Sequence, residues 1–334
     1  MQISRRSFLL TGIGSLAFTM KKPEVMTING WIDASQMGKT LIHEHFLVDF
    51  IGADKTSVNR WDKEKVITKV LPYLLEVKAL GIKTIFDCTP DFLGRDVELL
   101  KLLAKRSGLQ ILTNTGYYGA VNNKYLPKWA FTETAEQLAE RWIKEFKDGI
   151  EGTNVKPGFI KIGIDSGSTL SEIHQKLVKA AGLTHLATGL TICSHTGPAH
   201  IAFEEIEILK NIGVSPSAFV WVHAQSENNK AEHTKAARMG TWVSLDGIGW
   251  GDFQTYTDSI DLMKSNGVLN RLLISHDAGW YKPDEPNGGD FKGYTNIFKE
   301  LMPLLKQKGF TDADFEQILV HNPADAFAIR VRKN

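Results

Sequence analysis

The sequence predicts an α/β protein, a single (β/α)8 TIM barrel, and three observations carry that expectation. Eight apolar, strand-like runs alternate with amphipathic stretches along nearly the whole chain. Residues of metal-ligating type stand at the C-terminal ends of these runs: His43, His45, Lys161, His195, His223 and Asp277. A barrel gathers its strand ends at one mouth, where sites on this fold lie. No G-x-G-x-x-G follows any run, so the other alternating architecture, an open doubly wound sheet, lacks its usual phosphate-binding turn.

The expected strands are Thr40–Phe46, Thr84–Thr89, Gln110–Gly116, Gly158–Ile164, Leu190–Thr196, Phe219–Ala224, Thr241–Asp246 and Leu272–Asp277. The first intervening helix is read from Val66, Val70, Leu74, Val77 and Leu80, which recur at helical spacing among Lys63, Glu64, Lys69, Glu76 and Lys78. Further helices are expected to begin near Asp96, Thr134, Leu170, Ala199, Asn228, Thr257, Lys292 and Thr311. Three long aperiodic segments, Gly119–Ala130, Gly247–Gln254 and Ala278–Asp290, fall after strands three, seven and eight, where barrel loops shape a pocket. Of their aromatics and the adjacent Tyr117 and Tyr118, we single out Tyr118, Trp250 and Trp280 as pocket residues. Ordinary loop packing is the expectation for most of the others.

The N-terminus is set apart from this rhythm. Arg5 and Arg6 precede an apolar run from Phe8 to Met20, too short to span a bilayer, for which about 20 apolar residues are needed. Residues 1–22 fit a twin-arginine export signal and imply a periplasmic or exported protein. A cytoplasmic leader is the alternative, since no A-x-A cleavage site follows. Residues 23–334 form the one barrel domain, with no linker or shift in composition. Hydrophobic content of 43% and 23% charged residues describe a globular chain with a sizeable core. A net charge of +1 offers no basic footprint for nucleic acid. Cys88 and Cys193 lie within apolar runs and read as buried free thiols.

Each ligand-type residue has a bland reading. His43 and His45 share one strand face by period two, but H-x-H alone is common. Lys161 sits in Phe159-Ile160-Lys161-Ile162-Gly163, where an unpaired ammonium is costly to bury. Either an inward acid pairs with it, or it reacts as a neutral amine with carbon dioxide to give a bridging carbamate. His195 and His223, taken singly, are ordinary hydrogen-bonded histidines. His276 alternates away from the ligand face and is expected to be structural. Asp246, ending strand seven, is expected near the pocket rim, as an acceptor behind the ligands. The joint pattern outweighs the separate bland readings.

This pattern resembles the phosphotriesterase family of the amidohydrolase superfamily. That family orders its ligands as H-x-H on strand one, lysine on strand four, histidines on strands five and six, and aspartate on strand eight. Thr89-Pro90-Asp91-Phe92-Leu93-Gly94-Arg95-Asp96 is similar to its T-x(4)-G-R-D turn, and Thr115-Gly116-Tyr117-Tyr118 to its T-G-x-Y. The resemblance implies two divalent metals, zinc or else cobalt, manganese or iron, bridged by N6-carboxylated Lys161 and a hydroxide. His43, His45 and Asp277 would hold one, and His195 and His223 the other. Asp277 would accept the proton of the attacking water. Ser226 stands where members often carry Asp, and Gly247 where they often carry His or Arg.

Tyr118 aligns with a pocket tyrosine of lactone-hydrolysing members. The expected substrate is therefore a small lactone or related carboxylic ester, with phosphotriesters as a side activity. The alternatives are organophosphate triester hydrolysis as the main activity, a TatD-like nuclease and a non-catalytic metal-binding barrel. Lys161 argues against the nuclease, whose relatives use a carboxylate there. No stable membrane insertion is expected, and family resemblance suggests a homodimer.

Overall fold

A computed structural model describes residues 22–334. The twin-arginine segment expected over residues 1–22 lies, but for Lys22, outside the described residues. The described residues open with an antiparallel hairpin, Glu24–Thr27 and Gly30–Asp33. Eight barrel strands come next: β1 (Lys39–Leu47), β2 (Ile82–Asp87), β3 (Gln110–Leu112, resuming at Asn114–Thr115), β4 (Phe159–Gly163), β5 (Ile192–His195), β6 (Phe219–Val222), β7 (Trp242–Leu245) and β8 (Leu272–Ile274).

Neighbouring strands pair in parallel and in chain order from β1 to β8. The break in β3 at Thr113 marks where its pairing passes from β2 to β4. The ring closes between β8 and β1. There the Asp277 amide donates to the His43 carbonyl at 3.0 Å, and the His45 amide to that of Ala278 at 2.8 Å. Gly279–Tyr281 then runs parallel to the end of β1.

Helices cover the outside. The first, α1 (Lys63–Ala79), is capped by the Asp62 carboxylate and buries Val66, Ile67, Val70, Leu74 and Val77 against the barrel. Asp96, Thr134 and Ser171 cap the helices after strands two, three and four, close to the expected starts. The barrel interior is filled by large side chains, with Phe86 packed on Phe159 and Phe327 at centroid distances of 5.2 and 4.5 Å.

Three expectations shift. The helix expected near Thr257 begins at Phe253, because Asp252 caps it. The helix expected near Lys292 begins only at Ile297, as a π-helical turn leading into Met302–Gln307. Strand eight ends at Ile274 and not at Asp277, because the amides of His276 and Ala278 turn to the buried Glu44 carboxylate. Cys88 and Cys193 are buried free thiols. Among the described residues no helix is long and apolar enough to cross a membrane.

Candidate metal centre

His43, His45, Lys161, His195, His223 and Asp277 come from β1, β4, β5 and the ends of β6 and β8, yet all six line one cavity. Asp277 lies at its middle. Its Oδ1 is 3.1 Å from His45 Nε2 and 3.6 Å from His43 Nε2, and its Oδ2 is 4.0 Å from His223 Nε2. The His195 ring stands edge-on to that of His223, 4.3 Å between centroids. One ligand atom each of His43, His223 and Asp277 falls within 4.8 Å of the others.

The other ring nitrogens are held from behind. Nδ1 of His43 lies 3.3 Å from Asp246, Nδ1 of His223 2.7 Å from Asp246, and Nδ1 of His45 2.8 Å from the Thr89 hydroxyl. The Thr89 hydroxyl donates onward to the Leu47 carbonyl at 2.9 Å, so it accepts from His45 and leaves Nε2 bare. Three imidazoles thus present Nε2 lone pairs to a common centre, the tautomer that metal binding requires.

Burial lowers the pKa of His43 and holds that of His195 well below the usual imidazole value, so both are neutral donors. Burial also works against a charge on His223, but Asp246 and Asp277 together outweigh it and raise its pKa. Burial opposes the charge on Asp246, while His223 and His43 bring its pKa well below the carboxylate range. Lys161 is 1% exposed. Among the described residues no carboxylate lies within ion-pair distance of its ammonium, which removes the bland explanation for a buried lysine. Four imidazoles, one carboxylate and a buried lysine form a donor set suited to borderline divalent metals.

The expected pocket residues divide. Tyr118 lines the cavity, and its hydroxyl faces His195, 3.1 Å from Nδ1. Trp280 lines it too, with its ring 5.9 Å from that of His45. Trp250 is half-exposed and borders an adjoining open groove with Ser166, Gln225, Ser226 and Tyr256. Its indole N–H donates to the carbonyls of His276 and Asp277. Asp246 corrects the expectation of a rim residue. It is fully buried and lines neither space, because it also accepts from Ser244 Oγ at 2.6 Å and Gln225 Nε2 at 3.2 Å beneath the histidines. Thr89, Gln225 and Glu44 were not singled out from the sequence. Glu44 carried a signal there, an acid inside an apolar strand, and Thr89 stood only as the first residue of the T-x(4)-G-R-D turn.

A model of the phosphotriesterase family matches residues 23–327. The chain belongs to the phosphotriesterase family. It is 28% identical over 296 residues to the phosphotriesterase homology protein of Escherichia coli, a span of 87% of this chain and 98% of that protein. It is 27% identical over 310 residues to the aryldialkylphosphatase of Saccharolobus solfataricus, spanning 89% and 97%. It is 26% identical over 343 residues to the N-acetyltaurine hydrolase of Bos taurus, spanning 90% and 96%. These relatives bear the names of different hydrolases. As a member of the phosphotriesterase family, a family of metal-dependent hydrolases, this chain is a hydrolase.

Proposed function

We propose that this enzyme holds two divalent metals and hydrolyses a lactone or related small carboxylic ester. The observation that carries the reading is the convergence of all six donors in one cavity whose remaining wall is apolar. Val48, Phe50, Leu93, Val121, Tyr125 and Trp280 supply much of that wall. His43, His45 and Asp277 would hold one metal and His195 and His223 the second, with carboxylated Lys161 between them. Zinc or a similar ion, when bound, supplies Lewis acidity and lowers the pKa of water to about 7.

The remaining chemistry belongs to the side chains. Asp277 stands where it can take a proton from the attacking water and return it to the leaving oxygen. Tyr118 places a phenolic O–H at the mouth of the site beside His195. Burial pushes its pKa up, so it stays a donor through the neutral range. The buried indole N–H of Trp280 has no acceptor among the described residues. Both donors suit a substrate carrying an acceptor oxygen. The apolar chamber takes an alkyl or acyl portion, and the polar groove on the far side of His195, His223 and Asp277 takes a polar portion.

The test is the turnover of zinc- or cobalt-loaded enzyme on a panel of lactones, with an aryl dialkyl phosphotriester and N-acetyltaurine alongside. Preference for one lactone class supports the reading. Faster turnover of the phosphotriester or of the amide overturns it in favour of that chemistry.

A further inference from the structure

Glu44 sits between the two histidines of β1 and does not line the cavity. It is fully buried, and four donors converge on it. Oε1 accepts from Ser275 Oγ at 2.8 Å, from the His276 amide at 3.1 Å and from His276 Nδ1 at 2.7 Å; Oε2 accepts from the Ala278 amide at 3.1 Å. The two amides flank Asp277. His276 Nε2 accepts from the Ile297 amide at 3.1 Å, which leaves the ring proton on Nδ1, pointing at Glu44. Ser275 Oγ in turn accepts from the His43 amide at 3.0 Å.

One carboxylate therefore grips both neighbours of Asp277 and, through a serine, the backbone of His43. The segment it grips is unusual. Asp277 has φ 50° and Trp280 φ 73°, left-handed conformations uncommon for residues other than glycine and least expected of a bulky tryptophan. A backbone ladder would have satisfied the same amides with Asp277 extended. Burying a carboxylate is a poor way to gain stability alone, since the desolvation it incurs can exceed the attraction it gains.

We infer that Glu44 is a positioning residue, a buried clamp that sets Asp277 and His43 in the arrangement that receives the metal. This rests on the metal-hydrolase reading. The experiment is competitive zinc titration of the full chain against a chromophoric chelator, beside circular dichroism and melting curves. Glu44→Gln keeps the shape but must turn an amide nitrogen toward a donor, and should weaken zinc binding about tenfold or more while the folded spectrum persists. Asn322→Ala is the control. Asn322 donates to the carbonyls of Leu269 and Leu272 at 2.8 and 2.6 Å, at the opposite end of the same strand. It should lower the melting temperature and leave zinc affinity unchanged. Ser275→Ala cuts only the link to His43, should weaken zinc binding to a smaller extent, and decides the matter if Glu44→Gln does not fold.

Zinc affinity within twofold of wild type in Glu44→Gln, or in Ser275→Ala where it must decide, overturns the clamp alone. So does an equal loss in Asn322→Ala. Absence of zinc binding by the wild-type protein overturns the metal reading itself.

Discussion

Asp246 holds His223 by two contacts, accepting from the imidazole Nδ1 at 2.7 Å and from the backbone amide of the same residue at 3.2 Å. The same carboxylate reaches His43 Nδ1 at 3.3 Å, so it orients one proposed ligand of each metal. Asp246→Asn keeps the volume but puts an amide nitrogen against at least one of these N–H groups. Metal affinity should fall by about 10- to 100-fold, measured by competition with a chelator. Unchanged affinity would show that strand geometry alone orients the rings.

Lys161→Ala tests the carbamate. The variant should lose most of its bound metal and activity, and short carboxylic acids such as acetate or propionate should restore part of both. Metal content by atomic absorption is the deciding number. Two metals retained per chain would remove Lys161 as the bridge.

Tyr118→Phe removes a single hydroxyl from the site. Loss of one hydrogen bond to the reacting substrate is worth about 1 kcal/mol, or roughly five- to tenfold in kcat/KM. That drop should appear on lactones with metal content unchanged. An equal kcat/KM for the two proteins would leave Tyr118 as wall and nothing more.

Glu205, beneath the end of β5, provides a pH prediction. Burial raises its pKa to about 8, and it is hydrogen-bonded to the Thr196 hydroxyl. In the unfolded chain it ionises near the ordinary glutamate value, so between that value and about 8 the folded state binds the extra proton. Stability from this group is therefore full at low pH and falls as pH rises through that window. Glu205→Gln stays neutral throughout. Its melting temperature relative to wild type should rise between pH 5 and pH 8, read from paired melting curves; a constant difference would refute the assignment.

The strand order and the six ligand-type residues were legible because a barrel strand is apolar until the mouth, where its last inward residue becomes polar. His195, the last residue of β5, follows that rule closely, whereas Lys161 stood out as a charge in the middle of an apolar strand. Asp246 broke it. It too ends a strand-like run, but its side chain points under the histidines, and only the tertiary position of Ser244 and Gln225 shows this. Glu44 could have been found by the reasoning applied to Lys161, since an acid within Leu41-Ile42-His43-Glu44-His45-Phe46 needs buried partners. Those partners lie more than 200 residues away, at Ser275 to Ala278, and no local pattern announces them. Helix starts were read well where Asp96, Thr134 and Thr311 cap them. The starts at Phe253, despite its Asp252 cap, and at Ile297 were misplaced.

Both His223, at φ 61°, and Asp277, at φ 50°, leave their strands in a left-handed conformation. The backbone turns out of the barrel at the ligand itself, and each loop beyond it is anchored on its own. After Asp277, Arg60 ties the loop at Asp284 to the fixed Asp49. After His223, Glu227 is tied to the Ala199 amide. Lengthening or exchanging either loop then has little leverage on the ligands beneath. Descent with a new substrate can proceed by rewriting the ceiling of the site, one loop at a time, over a floor inherited whole.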